Sequence, residues 1–271
     1  MNLLRLCHDL STDNYRHAAY DHKIVNEKKR RDIYVASVRD RVVHRLLYDY
    51  LVEIMDKRLD YDVWSCREGK GLHGALQRTQ TLLQKHPSAW IWRADIKKFF
   101  DSVPHAQMLE VVAKHVNDER AKKLLDTVIR SYNYLIGLPI GNLTSQILAN
   151  MYLNEFDQYV RQQLKPLAYV RYGDDFILFY ARQCDIKSAR HAAIQRLTQL
   201  GLTINPAQDY AMRAWQGLHF LGHTITASDL KVSRKVDKMI IRKVNLQNVS
   251  SYSSLNLSDT TRSMLPWLPD V

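Results

Sequence analysis

Three aspartates at the ends of apolar stretches, Asp95, Asp174 and Asp175, are the residues of this chain best suited to chemistry. Asp174 and Asp175 belong to Tyr172-Gly173-Asp174-Asp175, which lies between two β-forming runs. Adjacent carboxylates repel, and a divalent cation with hard oxygen ligands, such as Mg²⁺, relieves that repulsion. A lone Asp-Asp is more often an ordinary solvated turn. Here, however, Asp95 closes a second apolar run, Trp90-Ile91-Trp92-Arg93-Ala94. Strand-end carboxylates on neighbouring strands can clamp two metal ions about 3.5–4 Å apart. Such a pair suits phosphoryl transfer, which needs positioning and charge neutralisation more than covalent chemistry.

The aspartates meet only if the elements around them bring them together. Residues 90–94 read as a buried strand, and residues 167–180 as a hairpin with Gly173 in its turn. Val42, Leu46, Tyr50 and Ile54 recur every four positions and predict an amphipathic helix over 41–59 with that stripe inward. Residues 106–134 read as helical until Gly137-Leu138-Pro139-Ile140-Gly141 breaks the pattern. A long helix is expected over 146–164, with Leu148, Tyr152, Phe156 and Tyr159 on one face. A helix over 186–200 and short strands near 203–204 and 219–225 complete a βαββαβ-like order. The fold class is therefore α+β, an antiparallel sheet with helices packed on one face. Residues 232–246 place Val232, Val236, Ile240 and Val244 on one stripe and Lys and Arg on the other, as in a basic-faced helix.

Composition narrows the class. With 46% hydrophobic residues, a 271-residue chain can bury a sizeable core. No apolar run approaches the roughly 18 residues a spanning helix needs, and the start does not read as a signal peptide. Cys7, Cys66 and Cys184 are far apart, and neither they nor the histidines show zinc-ligand spacing. They read as reduced thiols of an intracellular protein. The net charge of +11 suits a polyanionic partner. Its basic residues gather at Lys28-Lys29-Arg30-Arg31 and between Lys231 and Lys238, away from the acidic strand ends.

In their order along the chain, these blocks resemble those of reverse transcriptases over about residues 23–245. The resemblance implies a right-hand polymerase with fingers over 1–90 and a palm over 91–230, finger helices being interleaved at about 103–140. A short basic thumb would occupy 231–271. It implies RNA-directed DNA synthesis with two Mg²⁺, Mn²⁺ being able to substitute. Asp95, the Ile96 carbonyl, Asp174 and, more weakly, Asp175 would be the metal ligands. Arg67, Lys70, Phe100, Ile140 and Gly141 would lie on the incoming nucleotide. Template and primer would meet Arg41, Ser145, Gln146 and Tyr172. They would also meet Phe220, Leu221 and Gly222 of a primer grip in Gly217-Leu-His-Phe-Leu-Gly-His, and Lys235, Lys238 and Arg242 of the thumb. The implied partners are an RNA template, a DNA or RNA primer and dNTPs, in the cytoplasm of a bacterial or phage-encoded system.

Finer assignments rest on single positions. Gly-Asp-Asp also occurs in RNA-dependent RNA polymerases, which carry a second Asp five residues after the first metal ligand. Phe100 stands at that place here, and its ring would exclude a ribose 2′-hydroxyl. Most reverse transcriptases have Gln at the position of Ile140 and Pro at that of Gln146. The version here is similar to the mutagenic enzymes of diversity-generating retroelements, which implies a structured non-coding RNA and a small accessory protein. Antiphage or group-II-intron-like reverse transcriptases are the alternative, and a non-catalytic RNA-binding scaffold is the alternative of another class. One departure stands out: no Lys follows Asn205-Pro206, where Gln208 and Asp209 leave the usual proton donor to pyrophosphate without a counterpart.

Overall fold

Side-chain alternation along the strands organises the molecule, whose computed structural model describes residues 3–26, 30–133 and 135–232. Helix α1 (Leu3–Ser11) precedes the hairpin β1 (Asp21–Asn26) and β2 (Arg30–Val35), then α2 (Val38–Met55) and α3 (Leu72–Lys85). Strand β3 (Trp90–Asp95) leads into a single turn, α4 (Phe99–Ser102), then α5 (His105–His115), α6 (Glu119–Arg130) and α7 (Leu143–Tyr159). A π-helical turn, Val160–Leu164, ends α7. The hairpin β4 (Ala168–Tyr172) and β5 (Asp175–Tyr180) follows, then α8 (Gln183–Gln199) and β6 (Tyr210–Arg213). Three short strands close the described part: β7 (Leu218–Phe220), β8 (His223–Ile225) and β9 (Leu230–Val232).

The central sheet is antiparallel in the order β4-β5-β3-β6. One face sends Trp92, Ala94, Tyr169, Phe176 and Leu178 into a core shared with Leu51, Val111, Tyr152, Phe156 and Leu197 of the helices. The other sends Ile91, Val170, Ile177 and Phe179 against Leu76 and Leu83 of α3 and against Leu218 and Phe220. A sheet covered on both sides needs near-continuous apolar strands, and Asp175-Phe-Ile-Leu-Phe-Tyr has that composition. Helix starts are set by side-chain caps: Ser37 accepts from Asp40 N, and Asp118 from the amides of Arg120 and Ala121.

The α+β architecture agrees with the sequence reading, and the larger helical layer covers one face as expected. The opposite face is covered by α3 and the β7-β8-β9 sheet. Four details differ. The inward stripe of α2 is Val43, Leu47, Leu51 and Met55, one position on from the expected one, and Leu46 is 53% exposed. Both stripes are apolar, and the core takes the centre of the wider arc. In place of one helical stretch over 106–134 there are two helices, α5 and α6, parted at 116–118, and the second ends at Arg130. Residues 203–204 form no strand, only a bridge between Ile96 and Ile204, and the fourth strand is β6. Residues 219–225 are not one strand but a tight hairpin in a separate sheet. The expected basic helix, with Lys235, Lys238 and Arg242, lies outside the described residues, as do Lys28 and Lys29. Among the described residues no helix is long and apolar enough to cross a membrane.

The offset of α2 sets up a direct comparison. Leu47→Ala should cost about 2–5 kcal/mol in urea unfolding, and Leu46→Ala less than about 0.5 kcal/mol. A larger loss for Leu46→Ala than for Leu47→Ala would place the buried stripe at Val42, Leu46, Tyr50 and Ile54.

Candidate active site

The register of the sheet brings the aspartates together. Asp95 of β3 pairs with Asp175 of β5, and Tyr172 pairs with Asp175, leaving Gly173 and Asp174 as a two-residue turn. Gly173 has φ +64°, while Asp174 keeps a negative φ. That is the pattern of a II′ hairpin turn, which needs Gly first. The Asp174 carbonyl accepts from Ile96 N at 3.0 Å, fastening the turn to the end of β3. Asn205 donates its amide N–H to the Asp95 carbonyl at 2.8 Å and its side-chain N–H to Asp95 Oδ2 at 3.1 Å.

Burial, and then the neighbouring Asp95, push the Asp174 carboxyl up to about 7. Burial raises Asp175 as well, against the opposing pull of Arg93. Arg93 grips both Asp175 oxygens, with Nε at 3.1 Å and Nη2 at 2.7 Å. Asp95 and Asp174 are therefore the carboxylates left to interact without a cation between them. Among the described residues no three His, Cys, Asp or Glu side chains are grouped to hold a metal by themselves. Mg²⁺ does not need three, since it commonly takes one or two carboxylates together with substrate phosphates and water. The donors here are hard oxygens, and a divalent cation offsets both the burial and the Asp95 charge that raise Asp174. The backbone bonds joining this segment to residues 203–205 use Lys97 N and the Asp95 carbonyl, not the Ile96 carbonyl. The residues present fit the ion.

Beneath the turn lies a support that the sequence reading missed. Arg171 and Asp157 are both fully buried and joined by two bonds of 2.7 and 2.6 Å. Burial pulls the Arg171 pKa down, yet Asp157 beside it holds it above the usual guanidinium value. The third arm of Arg171 donates to Asn150 Oδ1 at 3.1 Å and to the Gly173 carbonyl at 3.0 Å. Ser65 Oγ accepts from Gly173 N at 2.8 Å. A charged residue inside the apolar run Ala-Tyr-Val-Arg-Tyr, and another inside an apolar helix, were the available signals.

The other expected site residues fall into two groups. Phe100 is half-buried and meets the fully buried Phe99 edge-on at 5.4 Å, so Phe99 fills the core and Phe100 is left partly open. Ile140 is half-buried, and its carbonyl accepts from Tyr34 N at 2.9 Å, which joins β2 to this loop. Gly141 has φ +108°, and a Cβ there would lie 2.8 Å from Ile33. Tyr172 is half-buried, and Arg41 and Gln146 are exposed. Phe220 is buried, and Leu221 and Gly222 form the β7-β8 turn with φ +50° and +81°.

Three side chains are occupied within the protein. Arg67 donates to the Asp56 carboxylate and to the carbonyls of Asp56, Asp60 and Val63. Lys70 donates to the Tyr61 carbonyl and lies over the Tyr61 and Trp64 rings. Ser145 is buried and donates to the Pro139 carbonyl at 2.7 Å, so it braces the loop. Asp209, one of the two residues that stand in the stretch without the usual lysine, accepts from Trp92 Nε1 at 2.9 Å and from Arg190. Although burial opposes it, the Arg190 bonds hold the Asp209 carboxyl below the usual range, so it stays an anion with no proton to give.

An antiparallel sheet with acidic strand ends, the β1-β2 hairpin bonded to the 139–141 loop and a second small sheet together make a right-hand polymerase fold. Its resemblance to solved structures is one of fold. It shares a TM-score of 0.56 with an apo telomerase from Candida tropicalis, at 14% identity, over 86% of this chain and 60% of that one. With Candida albicans telomerase, in complex with a TWJ fragment of telomeric RNA, the TM-score is 0.58 at 11% identity, over 94% and 53%. The family model "Reverse transcriptase (RNA-dependent DNA polymerase)" matches residues 21–225. The chain belongs to the reverse transcriptase family. Protein YkfC of Escherichia coli K12 is 24% identical over 241 residues, 73% of this chain and 63% of that protein. The group II intron-encoded protein LtrA of Lactococcus lactis is 24% identical over 146 residues, 51% and 24%. The chain thus spans less than two thirds of the length of these relatives.

The raised Asp174 gives a pH signature. A carboxyl whose folded pKa exceeds its unfolded value stabilises the fold at low pH, and that contribution is lost as pH rises through the folded value. The metal-free Asp174→Asn protein should therefore melt above the parent by a margin that grows from pH 4 to about 7, then levels off. A margin independent of pH in EDTA would show that Asp174 is not perturbed.

Proposed function

We propose that the chain is an RNA-directed DNA polymerase that extends a primer 3′-hydroxyl with deoxynucleotides on an RNA template. The observation that carries this is the pairing of Asp95 with Asp175 across adjacent strands, with Asp174 in the turn between β4 and β5. Magnesium, when bound, would supply charge to activate the hydroxyl and to neutralise the triphosphate. Asp95 and Asp174 would hold it, with the Ile96 carbonyl as a further oxygen, while Asp175 is steadied by Arg93. Residues 1–90 act as fingers, 91–230 as palm and 231–271 as a basic thumb whose Lys235, Lys238 and Arg242 meet backbone phosphates. The half-open ring of Phe100 selects against a 2′-hydroxyl. Arg67 and Lys70 reach the nucleotide only when the segment around Asp56 and Tyr61 rearranges, because both are held there now.

Replacing Asp95 or Asp174 with Asn keeps the side-chain shape and removes one anionic oxygen. Primer extension in Mg²⁺ should disappear while RNA binding persists. Extension within tenfold of the parent by either variant would end the metal-site assignment.

Within the family, Ile140 with Ser145-Gln146 supports a mutagenic enzyme of a diversity-generating retroelement, working with a structured non-coding RNA and a small accessory protein. The intron-encoded relatives favour a group-II-intron-like enzyme instead. The two readings differ in errors opposite template adenine. An aliphatic side chain at 140 offers contact but no hydrogen bond to a correctly placed pair. Ile140→Gln should restore about 0.5–1.5 kcal/mol of discrimination, about two- to tenfold. Sequencing one round of copying on a defined RNA measures it. Low adenine error in the parent would favour the intron-like reading.

A further inference from the structure

We propose that Arg93 and Tyr210 are positioning residues that set the primer 3′ terminus relative to the catalytic carboxylates, by tying Asp175 to the strand at 218–220. The proposal rests on the polymerase reading above and adds to it a connection between two parts of the site.

The chain of contacts begins on β3. Arg93 lies two residues before Asp95 and so shares its face of the sheet. Its Nε and Nη2 hold the two oxygens of Asp175, and its Nη1 donates to the Tyr210 hydroxyl at 3.2 Å. Tyr210 is the cross-strand partner of Arg93 on β6. The same hydroxyl donates to the His219 carbonyl on β7 at 3.2 Å. The Arg93 guanidinium also sits 6.0 Å from the Phe220 ring.

The connection matters because β7 belongs to a sheet that shares no ladder with the four-stranded one. Leu218 and Phe220 pack on the central sheet through apolar contact, which fixes separation but is indifferent to direction. Hydrogen bonds through a planar guanidinium do have direction. Tyr210 uses its one hydroxyl both to accept from Arg93 and to donate to His219, so the carboxylate end and the grip end share an atom. Immediately beyond β7, Leu221 and Gly222 both carry positive φ, a turn whose placement depends on what holds its strand. A simpler role for Arg93, neutralising the buried Asp175, requires neither Tyr210 nor its bond to β7.

The test separates these roles with the 271-residue chain on an RNA template and a DNA primer carrying 2-aminopurine at its 3′ end. Tyr210→Phe keeps the ring and the Arg93–Asp175 pair and removes only the shared hydroxyl. It should lower kcat about ten- to hundredfold at saturating primer and dNTP, since small misplacements of reacting atoms cost that much. Its primer–template Kd in EDTA should stay within about threefold, because phosphate contacts dominate affinity. The 2-aminopurine emission in EDTA should rise as the terminus loosens. Arg93→Lys keeps the charge but loses the fork, and should show the same defect. The double variant should be no worse than the weaker single, as for members of one chain of contacts. Parent-like kcat and emission in Tyr210→Phe would overturn the proposal and leave the polymerase reading intact. Independent, multiplying losses in the double variant would overturn it as well. A parent that extends no primer would remove the reading on which both rest.

Discussion

Repulsion among three carboxylates at the ends of two neighbouring strands is the constraint around which the site is built. Burial adds the larger cost, and burial and then Asp95 push the Asp174 carboxyl up to about 7. Two arginines on opposite faces of the sheet answer it in different ways. Arg93 neutralises Asp175 directly with a two-pronged bond. Arg171 bonds to none of the three carboxylates and holds the backbone of the turn through Gly173, its own charge balanced by Asp157. A fully buried ion pair is costly to make and contributes chiefly by fixing geometry, and breaking it from one side costs about 3–5 kcal/mol. Here Asn150, Tyr169 and the Gly173 carbonyl use the remaining bonding capacity, so the pair is well satisfied.

The two faces of the sheet divide the work. Trp92, Phe176 and Leu178 face α7 and α8 and make the larger core. Arg93, Asp95 and Asp175 alternate with them and face the other way, towards α3 and the β7-β8-β9 sheet. One strand thereby supplies both packing and chemistry, and a register slip of one residue would exchange them. The charges guard against this, because slippage of β3 would put Arg93 and Asp95 into the core.

Much of this was legible in the sequence because it is local. Gly173 between β-rich runs marks the turn, and Asp95 at the end of Trp-Ile-Trp-Arg-Ala marks the second strand. What escaped depends on partners distant in the chain. The stripe of α2 was read one position early because Val42, Leu46 and Tyr50 are as apolar as the residues that are buried. Strand β6 is short and lies at an edge, so it needs little sequence pattern. Arg171 and Asp157 look like surface charges until the fold places one against the other. Arg67 and Lys70 have the right chemistry for a triphosphate, yet local carbonyls and the Asp56 carboxylate hold them in this structure. Asp209 looked like the gap left by a lost proton donor, and it is a fixed acceptor for Trp92 and Arg190.

The central claim is that Asp95 and Asp174 together make a divalent-cation site completed by the substrate. The most direct measurement is electron paramagnetic resonance of Mn²⁺ titrated into the protein with a bound primer–template and a non-hydrolysable deoxynucleotide. The account predicts two ions per chain in the parent, weaker binding below pH 7 as Asp174 takes up a proton, and loss of at least one ion in Asp95→Asn. Equal Mn²⁺ binding by the parent and Asp95→Asn, or no binding beyond that of the free nucleotide, would contradict it.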